Sequence, residues 1–211
     1  MATEEPMSVV VGIIVVNVLV SLFGFRAMRD DESGRRTASF VFVPAEVARG
    51  QNGVGMLLAH FSHAGPLHLL FNMLALYSFA PAALAAVGPA QFLLIYVAAG
   101  VGSDLVVFAM HKDDPAYRCL GASGSVFGVM MAAVVVDPTT SIAFLFVPVP
   151  IPGPAFMLGY AIISAFLIAQ KHRGGISHEG HLGGAVVGLA VSALVAPRGL
   201  DPLVRWFAQW R

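Results

Sequence analysis

Long apolar runs, separated by short connections marked by charge or by Gly and Pro, set the plan of the chain. The first runs from Met7 to Phe25, long enough at ~1.5 Å per residue to cross roughly 30 Å of hydrocarbon. The second begins at Pro66, a favoured first-turn residue of a helix, and reaches about Val87, where Gly88-Pro89 breaks it. The third covers Gln91 to Met110. The fourth opens at Gly121-Ala122-Ser123-Gly124-Ser125-Val126-Phe127-Gly128 and ends at Val136, before Asp137-Pro138. It covers only roughly 24 Å, short of the hydrocarbon thickness. The fifth runs from Phe156 to Ala169 and the sixth from about Ser177 to Ala196. The pattern predicts an all-α membrane protein of six transmembrane helices with a short central fourth helix. The core spans about residues 7–196, with a short tail over 197–211, in one domain covering 1–211.

The connections refine this. Glu4 and Glu5 precede the first run and Arg26 and Arg29 follow it, the opposite of a signal peptide's basic start and small-residue cleavage site, so a retained helix is expected. Within the polar stretch from Arg26 to about Ala59, Phe40 to Pro44 is apolar but too short to span. It is expected at the interface or packed on the bundle. The proline-rich stretch Phe146 to Pro154 reads as a loop, and Trp206 and Trp210 in the tail suit an interfacial position.

Composition supports the membrane reading. Of 211 residues 57% are hydrophobic and 11% charged, and the mean hydropathy is +0.79; a soluble domain carries about a quarter charged residues. Zero net charge gives no sign of a nucleic-acid partner. The single cysteine, Cys119, excludes an internal disulfide.

Polar residues inside apolar spans are costly and are functional candidates by default. Three clusters stand out: His60, His63, His68 and Asn72; Ser123 and Ser125; His178, Glu179 and His181. His68, Asn72, Ser123 and His181 all lie near the starts of even-numbered spans, which enter from the same side, so the topology brings them to similar depth at one membrane face. A serine hydroxyl needs a base within hydrogen-bond reach to act as a nucleophile, and neutral histidine is the usual one. Gly124 and Gly128 share one helix face, as do His181, Gly184 and Gly188, and facing small-residue stripes let helices approach closely. His68 and Asn72, at i and i+4, project from one face as candidate oxyanion donors. No carboxylate has an obvious claim to orient His181, so the expected arrangement is a dyad. Against this stand plainer readings. Ser123 is also what a small-residue packing motif places at a helix start, His181 can bond across helices, and His68 and Asn72 can tie the second helix to the first loop.

His68-Leu-Leu-Phe-Asn72, Gly121-Ala-Ser123-Gly124 with Gly128, and His181-Leu-Gly-Gly184 with Gly188 together resemble the signature motifs of the rhomboid intramembrane serine proteases. They occur in the family's order, on spans two, four and six. The resemblance implies a six-helix rhomboid-like bundle with Ser123 as nucleophile and His181 as general base. His68, Asn72 and the Ser123 amide would form the oxyanion hole, and Gly121, Gly124, Gly128, Gly184 and Gly188 would pack the site. It also implies transmembrane protein substrates admitted from the lipid bilayer near helices two and five, and no cofactor. The Trp-Arg pair of some members' first loop is absent. The alternative is a catalytically silent rhomboid-like protein that binds transmembrane clients.

Two further readings compete. His178-Glu179-Gly180-His181 places two histidines three apart, where zinc proteases use four, so no metal is expected. Asp104, beside Ser103 in the third span, suggests an ion pathway, but with no basic partner in the sequence it is read as an acid held inside the bundle. Lys and Arg number nine on the site side (Arg26, Arg29, Arg35, Arg36, Arg49, Lys112, Arg118, Lys171, Arg173) and three on the other (Arg198, Arg205, Arg211). The positive-inside rule therefore turns the site to the cytoplasm, whereas the family resemblance turns it outward. Without an Arg-rich presequence, a bacterial inner (plasma) membrane is the expected location.

Overall fold

The computed structural model describes residues 5–30, 39–144, 147–170 and 175–209. The helices are α1 (Glu5–Asp30), the short α2 (Pro44–Val47) and α3 (Gly53–Ala59), α4 (Pro66–His111), α5 (Ser123–Val136), α6 (Gly153–Ala169), α7 (His178–Val195) and α8 (Asp201–Ala208). A two-stranded hairpin, β1 (Ser141–Phe144) and β2 (Val147–Pro152), lies between α5 and α6.

The expected second and third spans are the two limbs of α4. They meet at Gly88, whose φ of 78° and ψ of 169° leave the helix. Only glycine takes that conformation cheaply, and Pro89 is pre-set to open the next helix, so the chain reverses with no loop. By length and apolarity, Met7–Arg29 and Pro66–His111 qualify to cross a membrane, while α5 and α6 are apolar but shorter. Helix length alone therefore does not carry a count of six.

α5 is the axis of the molecule. Ten of its 14 residues are buried, and it packs mainly against α4 and α7. Its length corresponds to ~21 Å, shorter even than expected, because the chain enters it only at Ser123. The main core gathers Leu76, Leu84, Phe92 and Ile95 of α4 around Val126 and Val129 of α5. Large apolar side chains also cover the outer faces, Phe23 at 66% exposure and Leu194 at 85% among them. That surface suits lipid, not water. α1 docks through a narrow polar stripe. Its fully buried Asn17 donates to Ile13 O at 2.8 Å and to the Tyr96 hydroxyl at 3.3 Å, and Ser21 lies 2.8 Å from His63 Nδ1.

Phe42 is buried and pairs antiparallel with Cys119, N to O at 2.9 Å and 3.1 Å. The Phe40–Pro44 stretch thus packs on the bundle rather than lying at its edge. The proline-rich segment corrects the loop expectation and the strictly all-α class. Ser141 pairs with Pro152 and Ile142 with Ile151, with an irregularity before Phe144–Val147. Proline lacks an N–H but is tolerated in an edge strand, and β-branched Val and Ile fit the pleat. Of the expected tail anchors, Trp206 lies on α8, and Trp210 falls outside the described residues.

Candidate active site

Ser123 is the first residue of α5, so its N–H has no acceptor within the helix. Gly121, two residues earlier, has φ +136°, a conformation open to glycine, and its N–H donates to Ala59 O at 2.9 Å. That turn delivers the Ser123 side chain into a cavity of about 30 Å³, lined among others by His60, Ser103, Asp104, Ser177 and His181. This is room for one or two waters.

Ser177 immediately precedes α7, and its hydroxyl caps the helix by accepting from Gly180 N at 3.2 Å. Its first turn is anchored by Glu179, which accepts from Tyr117 at 2.6 Å and lies 2.8 Å from His111 Nε2. Tyr117 stacks on His111 with ring centroids 3.6 Å apart. One turn in, His181 places Nε2 2.6 Å from Ser123 Oγ. The other ring nitrogen, Nδ1, lies 2.7 Å from the Tyr160 hydroxyl on α6. Phe127, one turn after Ser123 on α5, stacks on the imidazole at 4.6 Å.

Glycine makes this approach possible. A methyl group on Gly184 would overlap the Gly124 carbonyl, one on Gly188 would overlap Gly128, and one on Gly128 would overlap Ala99. The α5 and α7 backbones therefore touch directly at Gly124–Gly184 and Gly128–Gly188, and α5 also lies against Ala99 of α4.

His68 lies across Gly121 from the serine. A methyl group built on Gly121 would lie 3.2 Å from His68 Nε2 and 3.6 Å from Ser123 Oγ. His68 Nδ1 accepts from Ala64 N at 3.3 Å, which assigns the proton of the neutral ring to Nε2, the nitrogen that faces the site. His63, fully buried, packs edge-on against His68 at 4.9 Å and reaches back to Ser21 of α1. Burial, with the His68 charge second, pushes the His63 pKa down to about 3. Asn72 is buried and donates one amide hydrogen to His68 O at 2.9 Å, leaving the other available.

The remaining expected residues go elsewhere. His60 Nε2 lies 2.9 Å from Ser125 Oγ, which donates to Tyr96 O at 2.7 Å. His60 Nδ1 lies 3.6 Å from Asp104 Oδ2. Asp104 therefore has a basic neighbour after all, one that its position in the sequence does not reveal. His178 Nδ1 is buried without a partner, and Glu179 is engaged by Tyr117 and His111. Two site residues, Phe127 and Tyr160, were not among those expected. Phe127 is four residues from Ser123 and so shares its face. Tyr160 is the kind of polar-tipped aromatic that seeks a partner when buried.

Comparison with known proteins bears on the same stretch. A Rhomboid domain family model matches residues 51–198. The rat presenilin-associated rhomboid-like protein, mitochondrial, is 34% identical over 141 residues, 64% of this chain and 36% of the relative. The human protein of that name is 33% identical over the same length and shares. Rhomboid protease GluP of Bacillus subtilis is 34% identical over 137 residues, 64% of this chain and 25% of that protein. The chain thus spans about a third or less of the length of these relatives. No solved structure matches it. Residues 51–198 hold His68, Asn72, Ser123 and His181 together with the glycines that bring the last two into contact, and over that stretch the chain belongs to the rhomboid family.

Proposed function

We propose that the chain is an intramembrane serine endopeptidase that hydrolyses peptide bonds in or near transmembrane segments of membrane-anchored proteins. The observation that carries the proposal is the 2.6 Å contact between Ser123 Oγ and His181 Nε2. His181 takes the Ser123 proton as the oxygen attacks the scissile carbonyl, then gives it to the departing amine. Water, for which the cavity has room, enters by the same route in reverse. It loses a proton to His181 as it attacks the acyl ester; the bond to Ser123 Oγ then breaks, His181 returns the proton to that oxygen, and the carboxylic acid leaves. The oxyanion of each tetrahedral intermediate is held by the Ser123 N–H, by His68 Nε2–H and by the free amide hydrogen of Asn72. No step in this scheme calls for a cofactor or metal.

The six-span arrangement belongs to the same proposal: α1, the two limbs of α4, α5, α6 and α7 cross the membrane. The bacterial inner membrane is supported by the match to the Bacillus protein, against the mitochondrial names of the animal relatives, and fractionation of the source cells decides between them. The site faces outward on the family resemblance.

Cleavage of a panel of transmembrane reporters by wild type, Ser123→Ala and His181→Ala tests the proposal. Wild type cuts at least one reporter and both variants cut none. A wild type that binds reporters and cuts none in any lipid leaves the chain as a silent client-binding relative. Activity that survives Ser123→Ala but is lost to a chelator makes the site metal-dependent.

A further inference from the structure

We infer that Tyr160 is the positioning residue of the base: its hydroxyl accepts Nδ1–H of His181 and thereby fixes the tautomer in which Nε2 can take the Ser123 proton. The inference rests on the serine protease reading and supplies what that reading leaves open, a third group where no carboxylate stands.

Two proton arrangements fit the contacts of 2.7 Å at Nδ1 and 2.6 Å at Nε2. In one, Tyr160 donates to Nδ1 and Nε2–H donates to Ser123, which leaves the imidazole unable to act as a base. In the other, Nδ1–H donates to Tyr160 and Ser123 donates to Nε2, which is the reactive state. The choice turns on where the Tyr160 proton goes. Ser164, four residues on along α6 and so on the same face, is fully buried. Its hydroxyl has no hydrogen-bond partner. Turned toward Tyr160 it can accept the tyrosine proton and leave the tyrosine oxygen free to accept from the ring, and a buried hydroxyl otherwise without a partner gains by doing so. The Tyr160 ring also packs on Phe127 at 4.5 Å, and Phe127 covers the face of the imidazole. The imidazole can therefore rotate little about the line joining Tyr160 to Ser123.

Tyr160 stands on α6, whose only buried residues are Gly153, Pro154, Met157 and Ser164. The base is thus oriented from a peripheral helix, and an outward shift of α6 would release it.

The experiment uses full-length protein with 15N-histidine in lipid nanodiscs, the His181 signals being assigned by their loss in His181→Gln. Wild type carries the neutral-ring proton on Nδ1. Tyr160→Phe, which keeps the ring and its packing, moves a large share of it to Nε2. It also lowers kcat about tenfold with KM within about twofold, as expected for one lost neutral hydrogen bond felt after binding. Ser164→Ala shifts both readouts the same way by a smaller factor. The inference is overturned if wild type carries the proton on Nε2. It is equally overturned if Tyr160→Phe leaves the tautomer unchanged, whatever it does to the rate. Should wild type cut no reporter, the protease proposal falls while the tautomer measurement still decides this one.

Discussion

Replacing Gly184 by alanine is the smallest change that tests whether backbone contact between α5 and α7 sets the Ser123–His181 distance. The added methyl would lie 2.7 Å from the Gly124 carbonyl carbon and 2.8 Å from its Cα. Carbon–carbon contacts settle near ~3.5–4.0 Å, so the two helices must separate by roughly 1 Å. Ser123 adjoins Gly124, and His181 lies one turn before Gly184, so the displacement passes to the proposed reacting pair. Their 2.6 Å contact would open to roughly 3.6 Å, beyond hydrogen-bond reach. A misplacement of that size costs ~10² in rate, and overpacking costs ~1–3 kcal/mol of stability. Gly159→Ala is the matched control. It lies inside α6 with no atom within 4 Å of the added methyl, and alanine there gains ~0.5–1 kcal/mol. The assay is kcat/KM on a transmembrane reporter alongside Tm in the same lipid. Gly184→Ala with wild-type rate and Tm refutes the reasoning.

Other outcomes follow from the same geometry. His68→Ala removes a proposed oxyanion donor and should lower kcat by ~10²–10³ with little change in KM; a loss confined to KM would make His68 a substrate-binding group. Asp104→Asn alters the neighbour of His60 but touches neither Ser123 nor His181. Reporter cleavage should stay within about threefold, under 1 kcal/mol by the rate relation, and a hundredfold loss would bring Asp104 into the chemistry. His63 has its pKa depressed to about 3, so the unfolded chain binds a proton near pH ~6.5 that the native state refuses. Its contribution is full above that value and is lost as pH falls toward about 3. Tm should therefore drop across that window, and less steeply in His63→Gln; parallel curves for the two proteins would contradict the assignment.

Much of the fold and site was legible in the residues because the physical demands are severe. Direct contact between two helix backbones admits only glycine, so the stripes Gly124/Gly128 and Gly184/Gly188 stand out in the sequence itself. Gly88-Pro89 likewise marks the break in α4, since few residues tolerate a positive φ followed by a helix start. Contacts that depend on helix rotation and depth were not legible. Tyr160 sits in an apolar run whose periodicity does not say which face meets α7. His60 and Asp104 are 44 residues apart by their numbering, and only the docking of α3's end against α4 makes them neighbours. The hairpin was hidden because proline is read as a breaker, although an edge strand loses little by lacking an N–H.

Activation of Ser123 by His181 is the centre of the proposed chemistry. Treating the full-length protein in lipid with a fluorophosphonate and mapping the adduct by mass spectrometry tests it most directly. The expected result is one adduct, on Ser123, that forms in wild type and is abolished in His181→Ala. An adduct on another residue, or labelling of Ser123 at an undiminished rate in His181→Ala, would contradict it.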